Sequence, residues 1–125
     1  MSLRAATAVF AVGFFVHHLD HVRRGYGVVD DGVILGRTIA AMLVAGLFTL
    51  VLTRHAAAPS AAVVVGVVVL VGLVVVRLVP PFGLPSDHLG AAGTDALTWI
   101  VVLFELAGAG LVVVAGLREP PRRAA

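Results

Sequence analysis

Four long apolar runs constrain what this chain can fold into. They cover residues 3–24, 33–53, 61–79 and 96–117. Each holds an apolar stretch of about 17 to 22 residues, which is enough to cross a hydrocarbon core of roughly 30 Å. A lone strand would leave its backbone groups unpaired in lipid, so the runs predict helices although they are rich in valine. We therefore predict an all-α fold, an integral membrane four-helix antiparallel bundle with four transmembrane spans and short loops.

The composition agrees with a membrane location. Apolar residues make up 60% of the 125 residues, charged residues make up 13%, and the mean hydropathy is +1.08. A soluble domain of this length has too little interior to bury so much apolar surface. We expect one four-span membrane domain over residues 1–125, in which residues 118–125 form a short cytoplasmic tail.

The first run has a rival interpretation as a cleaved signal peptide. Ala11, Val12 and Gly13 resemble a small-residue cleavage site after a short apolar stretch. Only Arg4 supplies the basic region that should precede such a stretch, so we expect a retained span.

The charged residues exclude several classes of function. All nine basic residues are arginines that flank the apolar runs, and the net charge is only +2. This distribution is typical of topology signals rather than of a phosphate-binding face, so we expect no nucleic-acid partner. The absence of cysteine excludes thiolate metal ligands, disulfides and thiol redox chemistry. No nucleotide-binding loop or Ser-His-Asp set supports an ATPase or a hydrolase.

The arginines also predict an orientation. Five lie at the N-terminus, between the second and third runs, or at the C-terminus, against four on the other side. By the positive-inside rule this bias places both termini in the cytoplasm. The heavy use of Ala, Val, Gly and Arg is typical of GC-rich bacterial genomes, so we expect a bacterial cytoplasmic membrane. Most of the acids and four of the five histidines then lie towards the outer face.

The first and fourth runs carry the residues that suggest chemistry. The segment HHLDH ends the first run, and Glu105 lies inside the fourth. His17 follows Arg4 by thirteen residues, and Glu105 precedes Arg118 by thirteen. At 1.5 Å per residue both lie about 20 Å from the inner boundary. We therefore predict that His17 and Glu105 face each other at one depth.

Helical spacing predicts which other residues face the interior. His17 and His21 are four residues apart and share a helix face, whereas His18 lies at its margin. Two further stripes are expected to face inward, and they consist of Asp95, Thr98, Val102 and Glu105 in the fourth run and Thr38, Met42, Thr49 and Thr53 in the second. Four glycines are expected to permit close helix approach, namely Gly66, Gly72, Gly108 and Gly110.

A carboxylate deep in a span is costly unless it is protonated, paired or bound to metal. Two or three imidazoles with one carboxylate suit Zn²⁺, Fe²⁺ or Cu²⁺ and disfavour Ca²⁺ and Mg²⁺. We therefore predict a transition-metal site near the outer face; its ligands would be His17, His21 and Glu105, with His18 or His88 as a further nitrogen. The plainer alternatives are a neutral Glu105 bonded to a neighbouring helix and histidines solvated at the interface.

Three more residues are expected to support the site. Asp20 should pair with Arg23 or Arg24, which follow it by three and four residues. Asp95 should cap the fourth helix, with Thr94 as the rival cap. We expect Arg77 to pair with Asp95 or with an acid of the first loop; the alternative is that its guanidinium extends to the membrane surface.

Four alternative functions are compatible with these residues. The leading prediction is transition-metal binding, with a catalytic or a transport role left open. A b-type haem is less favoured, because only His88 opposes the histidines of the first run. The third is a pocket without metal for a small lipid or a proton-coupled solute, in which Glu105 and a histidine titrate. The fourth is an accessory subunit of a larger membrane complex. The lipid bilayer is an expected partner, and a small lipid or solute, a second copy of the chain or a larger membrane complex stay open as further partners.

Overall fold

The computed structural model describes residues 1–25, 31–78 and 94–119. Over these residues it contains four helices and no strands. The helices are α1 (Leu3–Arg24), α2 (Asp31–Leu52), α3 (Ala58–Leu78) and α4 (Ala96–Arg118). Each is long and apolar enough to cross a membrane. The predicted fold class is confirmed, and the predicted ends of the helices differ from those observed by three residues or fewer.

Local side-chain chemistry explains where two of the helices begin and where α1 ends. The Ser2 hydroxyl accepts a hydrogen bond from the Ala5 N–H at 3.3 Å, and the Asp95 carboxylate accepts one from the Thr98 N–H at 3.0 Å. Such caps satisfy amide groups that have no partner inside the helix. Gly25 follows α1 with a φ of 87°, a conformation that glycine adopts without steric cost.

A tight turn joins α2 to α3. Arg54 has a φ of 56°, and the His55 N–H donates to the Leu50 carbonyl at 2.9 Å, which closes the end of α2. α3 begins at Ala58, three residues earlier than predicted. Pro59 does not prevent this early start, because the amides of the first helical turn have no acceptor inside the helix.

The helices form a ring in which α1 and α3 each pack against both α2 and α4. α1 and α4 approach closely, because a Cβ built on Gly108 would lie 2.9 Å from the Phe10 Cα. Gly66 likewise allows α3 to approach α4. For these two glycines the prediction of close approach is confirmed. For Gly72 and Gly110 it is wrong, since nothing lies within 4 Å of a Cβ built there.

α2 is the peripheral helix of the ring. Only four of its residues are buried, against nine in α1, eight in α3 and nine in α4. The predicted inward stripe of α2 is wrong, because Thr38, Met42, Thr49 and Thr53 are all exposed. The three threonine hydroxyls do not require a partner in the interior of the bundle, because each donates to a backbone carbonyl of α2 at 2.9 to 3.0 Å.

Candidate functional site

One polar side chain from each helix meets its neighbours near the axis of the ring. These four, here called the polar cluster, are His17 of α1, Arg37 of α2, Arg77 of α3 and Glu105 of α4. His17, Arg77 and Glu105 are at most 2% exposed, and the Arg37 side chain is 11% exposed. Their contacts span both diagonals of the ring, because Arg77 reaches His17 and Arg37 reaches Glu105.

Glu105 is the centre of the polar cluster. Its carboxylate accepts hydrogen bonds from one Arg37 nitrogen, Nη1, at 2.9 and 3.1 Å, and it is also bonded to His17 Nδ1. Arg77 Nη2 lies 2.6 Å from the other ring nitrogen of His17, Nε2. A guanidinium can only donate, so Nε2 is the acceptor and Nδ1 carries the proton that faces Glu105. The predicted common depth of His17 and Glu105 is confirmed.

Arg37 is the member of the polar cluster that sequence reasoning missed as a site residue. Arg37 was interpreted only as a topology signal, although it lies six residues inside α2, where a charge is costly. Its Nη2 donates to the Phe14 carbonyl at 3.2 Å, and its Cζ lies 4.2 Å from the Phe14 ring centroid. Its Nε is buried and has no hydrogen-bond partner among the described residues.

The remaining histidines follow the predicted helix faces. The His21 ring stacks on His17, with centroids 4.8 Å apart and planes 23° apart, and it is 3% exposed. His18 is partly buried at the margin, as predicted, and no hydrogen bond joins it to Glu105 among the described residues. His88 lies outside the described residues.

The predicted metal ligands therefore come only partly together. Among residues 1–25, 31–78 and 94–119, no group of three His, Cys, Asp or Glu side chains is placed to hold a metal ion. Both ring nitrogens of His17 and both oxygens of Glu105 already make polar contacts. The Zn, Cu or Fe site stays a prediction, and nothing in the described residues bears on haem.

A second polar group joins α1 to α4 at the end of the bundle where α1 ends and α4 begins, here called the upper end. Arg23 donates to both oxygens of Asp95 at 3.0 Å and to Asp20 at 2.9 Å. The Thr98 hydroxyl donates to the other oxygen of Asp20 at 2.8 Å. The predicted Asp20–Arg23 pair and the predicted Asp95 cap are both confirmed.

For Arg77, the predicted pair with Asp95 and the alternative of a guanidinium at the membrane surface are both wrong, whereas the pair with an acid of the first loop stays a prediction. Asp95 is bound by Arg23 rather than by Arg77. The Arg77 side chain is buried and contacts His17, so it does not extend to the membrane surface. Of the acids in the first loop, Asp30 lies outside the described residues.

Among the described residues at the upper end, Asp95 is the acid that lies outside the helical spans. The Thr98 backbone N–H and then the Arg23 guanidinium hold the pKa of the Asp95 carboxyl below its ordinary value, because both stabilise its charged form. Asp95 is therefore ionised at neutral pH and links the start of α4 to the last turn of α1.

A cavity of about 170 Å³ lies beside the polar cluster, between α2 and α3. Its apolar walls include Val33, Ile39, Leu43, Val69, Leu73 and Val76. The described polar residues that line it are His17, His21, Arg37 and Arg77, and they include no Asp or Glu. Gly36 and Gly72 line it too, with open space where a Cβ would lie.

Together, the cavity and the polar cluster offer apolar volume next to buried hydrogen-bond donors. The arrangement suits a molecule that is apolar over most of its length and has a hydrogen-bond acceptor at one end.

Comparison of the chain with models of known protein families, with curated protein sequences and with solved structures found no match.

Proposed function

We propose that this protein binds a small amphipathic molecule inside the membrane. The apolar part of the ligand would lie between α2 and α3, and its polar end would meet the polar cluster. The observation that carries this proposal is the cavity, whose walls are apolar except where His17, His21, Arg37 and Arg77 line it. This ligand class includes small lipids and amphipathic solutes whose binding is coupled to protons.

The position of the cavity supports entry from the bilayer. Its walls come from the peripheral helix α2 and from α3, and both helices expose large apolar side chains such as Leu35, Ile39 and Val68. In a membrane these surfaces face acyl chains. A molecule dissolved in the bilayer therefore reaches the cavity sideways, without crossing the charged upper end.

The contact between His17 and Glu105 supports a link to protons. Histidine exchanges its proton near neutral pH, and a buried carboxylate is a suitable acceptor. His17 Nδ1 already donates to Glu105. Three further side chains contact this pair: Arg37 bonds to Glu105, Arg77 lies at the other nitrogen of His17, and the His21 ring stacks on His17. A ligand at the cavity would thus lie next to a hydrogen-bonded pair of imidazole and carboxylate.

The orientation belongs to the same proposal. With four spans, the start of α1 and the end of α4 lie on one side, and we place that side in the cytoplasm of a bacterial cell on the arginine bias. The cavity then lies towards the outer half of the membrane.

Native mass spectrometry of protein released from lipid nanodiscs tests the proposal. The expected result is a bound small molecule in the wild type that is lost in Gly36→Leu and Gly72→Leu, because each added side chain occupies open space at the cavity. Gly46→Leu is the matched control, since Gly46 lies on α2, has the same open surroundings and does not line the cavity.

Equal occupancy in all four proteins, or no bound molecule in any of them, would overturn the proposal. The same samples, purified without chelators or imidazole, serve for elemental analysis. A near-stoichiometric transition metal that disappears in His17→Ala, without any organic ligand, would replace the proposal with the metal site predicted from the sequence.

A further inference from the structure

Among the described residues, the charged side chains that line the polar end of the cavity, Arg37 and Arg77, are both positive. Two guanidinium groups and two imidazoles line it, and no described lining residue is an acid. Glu105 pairs with Arg37 and His17 but does not line the cavity. The electrostatic complement of such a surface is a negative group rather than a positive or a neutral one.

Arg37 supplies a donor that is held in position. Its Nη1 and Nη2 are fixed by Glu105 and by the Phe14 carbonyl, and the Phe14 ring supports its guanidinium plane. Its Nε is buried without an acceptor among the described residues, although Arg37 lines the cavity. A buried donor without a partner is unfavourable, so a ligand acceptor that is brought to Nε would gain a charge-assisted hydrogen bond there.

The size of the cavity restricts the apolar part of the ligand. An apolar cavity of about 150 Å³ in another protein holds one benzene ring. A cavity of about 170 Å³ therefore accepts a single alkyl chain or ring of this size, with any further length extending outward between α2 and α3. Two acyl chains side by side do not fit.

We infer that the ligand is a single-chain carboxylate, whose anionic end binds the Arg37 guanidinium while its alkyl chain lies between α2 and α3. This inference rests on the proposed function and names its ligand class. Carboxylate is preferred because its two oxygens match the donor geometry of a guanidinium. Arg77 adds a second positive charge at the same end of the cavity.

The test uses three probes that share one chain, namely octanoate, 1-octanol and octylamine. Binding to purified protein in nanodiscs is measured by saturation-transfer NMR, and specific binding is defined as the part lost in Gly36→Leu but kept in Gly46→Leu. In the wild type we expect octanoate to bind at least about tenfold more tightly than 1-octanol, the size of a charge-assisted hydrogen bond. Octylamine should not compete with octanoate.

Two variants assign the preference to Arg37. Glu105→Gln keeps the shape of the side chain and removes its negative charge, so octanoate should bind at least as tightly as in the wild type. Arg37→Gln combined with Glu105→Gln removes the donor without leaving an unpaired buried carboxylate. In this double variant the affinity for octanoate should fall to about that for 1-octanol measured in the same variant.

The outcomes separate this inference from the proposed function. If 1-octanol binds as tightly as octanoate and both are lost in Gly36→Leu, the cavity binds amphipathic molecules but the carboxylate inference is wrong. The inference is equally wrong if the double variant keeps the preference for octanoate. If no probe shows a difference between Gly36→Leu and Gly46→Leu, both the proposed function and the inference fail. Circular dichroism and gel filtration of each variant establish that it is folded.

Discussion

Arg37 and Glu105 form the contact on which the interior of the bundle depends most. Glu105 is fully buried, and the Arg37 side chain is 11% exposed. Neither charge is tolerated alone in an apolar interior, whereas a bonded pair is. This explains how one peripheral helix with few buried side chains is held to the ring: Arg37 extends from α2 across to α4.

The first prediction concerns this pair. Arg37→Leu alone should destabilise the protein by about 3–5 kcal/mol, because it leaves a buried carboxylate without its strongest partner. Arg37→Leu combined with Glu105→Leu should cost less than the sum of the two single variants, with a coupling of at least about 1.5 kcal/mol. Unfolding in mixed micelles with increasing SDS measures all three.

Arg4→Leu is the control, since Arg4 is exposed and should change stability by no more than about 0.5 kcal/mol. Additive effects of the single Arg37 and Glu105 variants would contradict the buried ion pair.

A second prediction concerns Asp95 at the upper end. Because its pKa is lowered in the folded protein, its carboxylate adds stability above its ordinary pKa of about 4, and this contribution is lost as the pH falls through the lower folded value. Asp95→Asn keeps a capping side chain but no charge. Melting temperatures in detergent should therefore fall less steeply below about pH 4 in the variant than in the wild type.

High salt gives an independent check, because the Asp95 side chain is half exposed and its pairing with Arg23 is screened. In 1 M NaCl, where the Debye length is about 3 Å, the wild type and Asp95→Asn should converge near neutral pH. Identical acid profiles for the two proteins would show that the carboxylate contributes nothing.

At the scale of helices, glycine positions decide which pairs pack closely. The α1–α4 contact needs Gly108, because any side chain there would meet the backbone of Phe10. Gly110 lies only two residues further along α4 and faces open space. Glycine therefore permits close packing on one face of α4 and lies against open space on another. Sequence periodicity cannot tell the two positions apart when the neighbouring helix is unknown.

This contrast gives a third prediction. Gly108→Ala should destabilise the protein by about 1–3 kcal/mol, because the backbone of α1 cannot yield as a flexible side chain would. Gly110→Ala should be neutral or stabilising by up to about 1 kcal/mol, since alanine has the higher helix propensity. Thermal unfolding in one detergent compares them, and a similar loss in both would contradict the α1–α4 interface.

At the scale of the whole molecule, the ring places the start of α1, the α2–α3 turn and the end of α4 together. Ser2, Arg54 and Glu119 line one shallow depression at that end. The upper end carries Arg23, Asp95 and Asp20 instead. The molecule thus has two chemically different ends, in keeping with helices that cross a membrane.

The fourth prediction uses the absence of native cysteine. Single-cysteine variants Ser2→Cys and His55→Cys should react with a membrane-impermeant maleimide from one side only, and Asp31→Cys from the other. In right-side-out vesicles we expect only Asp31→Cys to be labelled. The wild-type chain is the blank, and labelling of Ser2→Cys and His55→Cys from opposite sides would contradict the topology.

Much of the fold was predictable because it depends on local and additive properties. Length and hydropathy determine that each run is a spanning helix, and side chains such as Asp95 determine where a helix begins. The His17–Glu105 contact was predictable as well, since both depths are measured along single helices from charged ends. The contacts of Arg37 with Glu105, of Arg77 with His17 and of Arg23 with Asp95 were not predictable in this way, because a long arginine side chain can reach acceptors on more than one neighbouring helix.

By itself the sequence determined four helices, their order and the depth of each polar residue, because rise per residue and transfer into lipid act on each segment separately. Only the tertiary structure decided how far each helix is rotated and which neighbour it meets. Those choices place Arg37 on Glu105, Arg77 on His17 and open space at Gly36 and Gly72. They depend on the shapes of two helix surfaces at once, a property that no single segment contains.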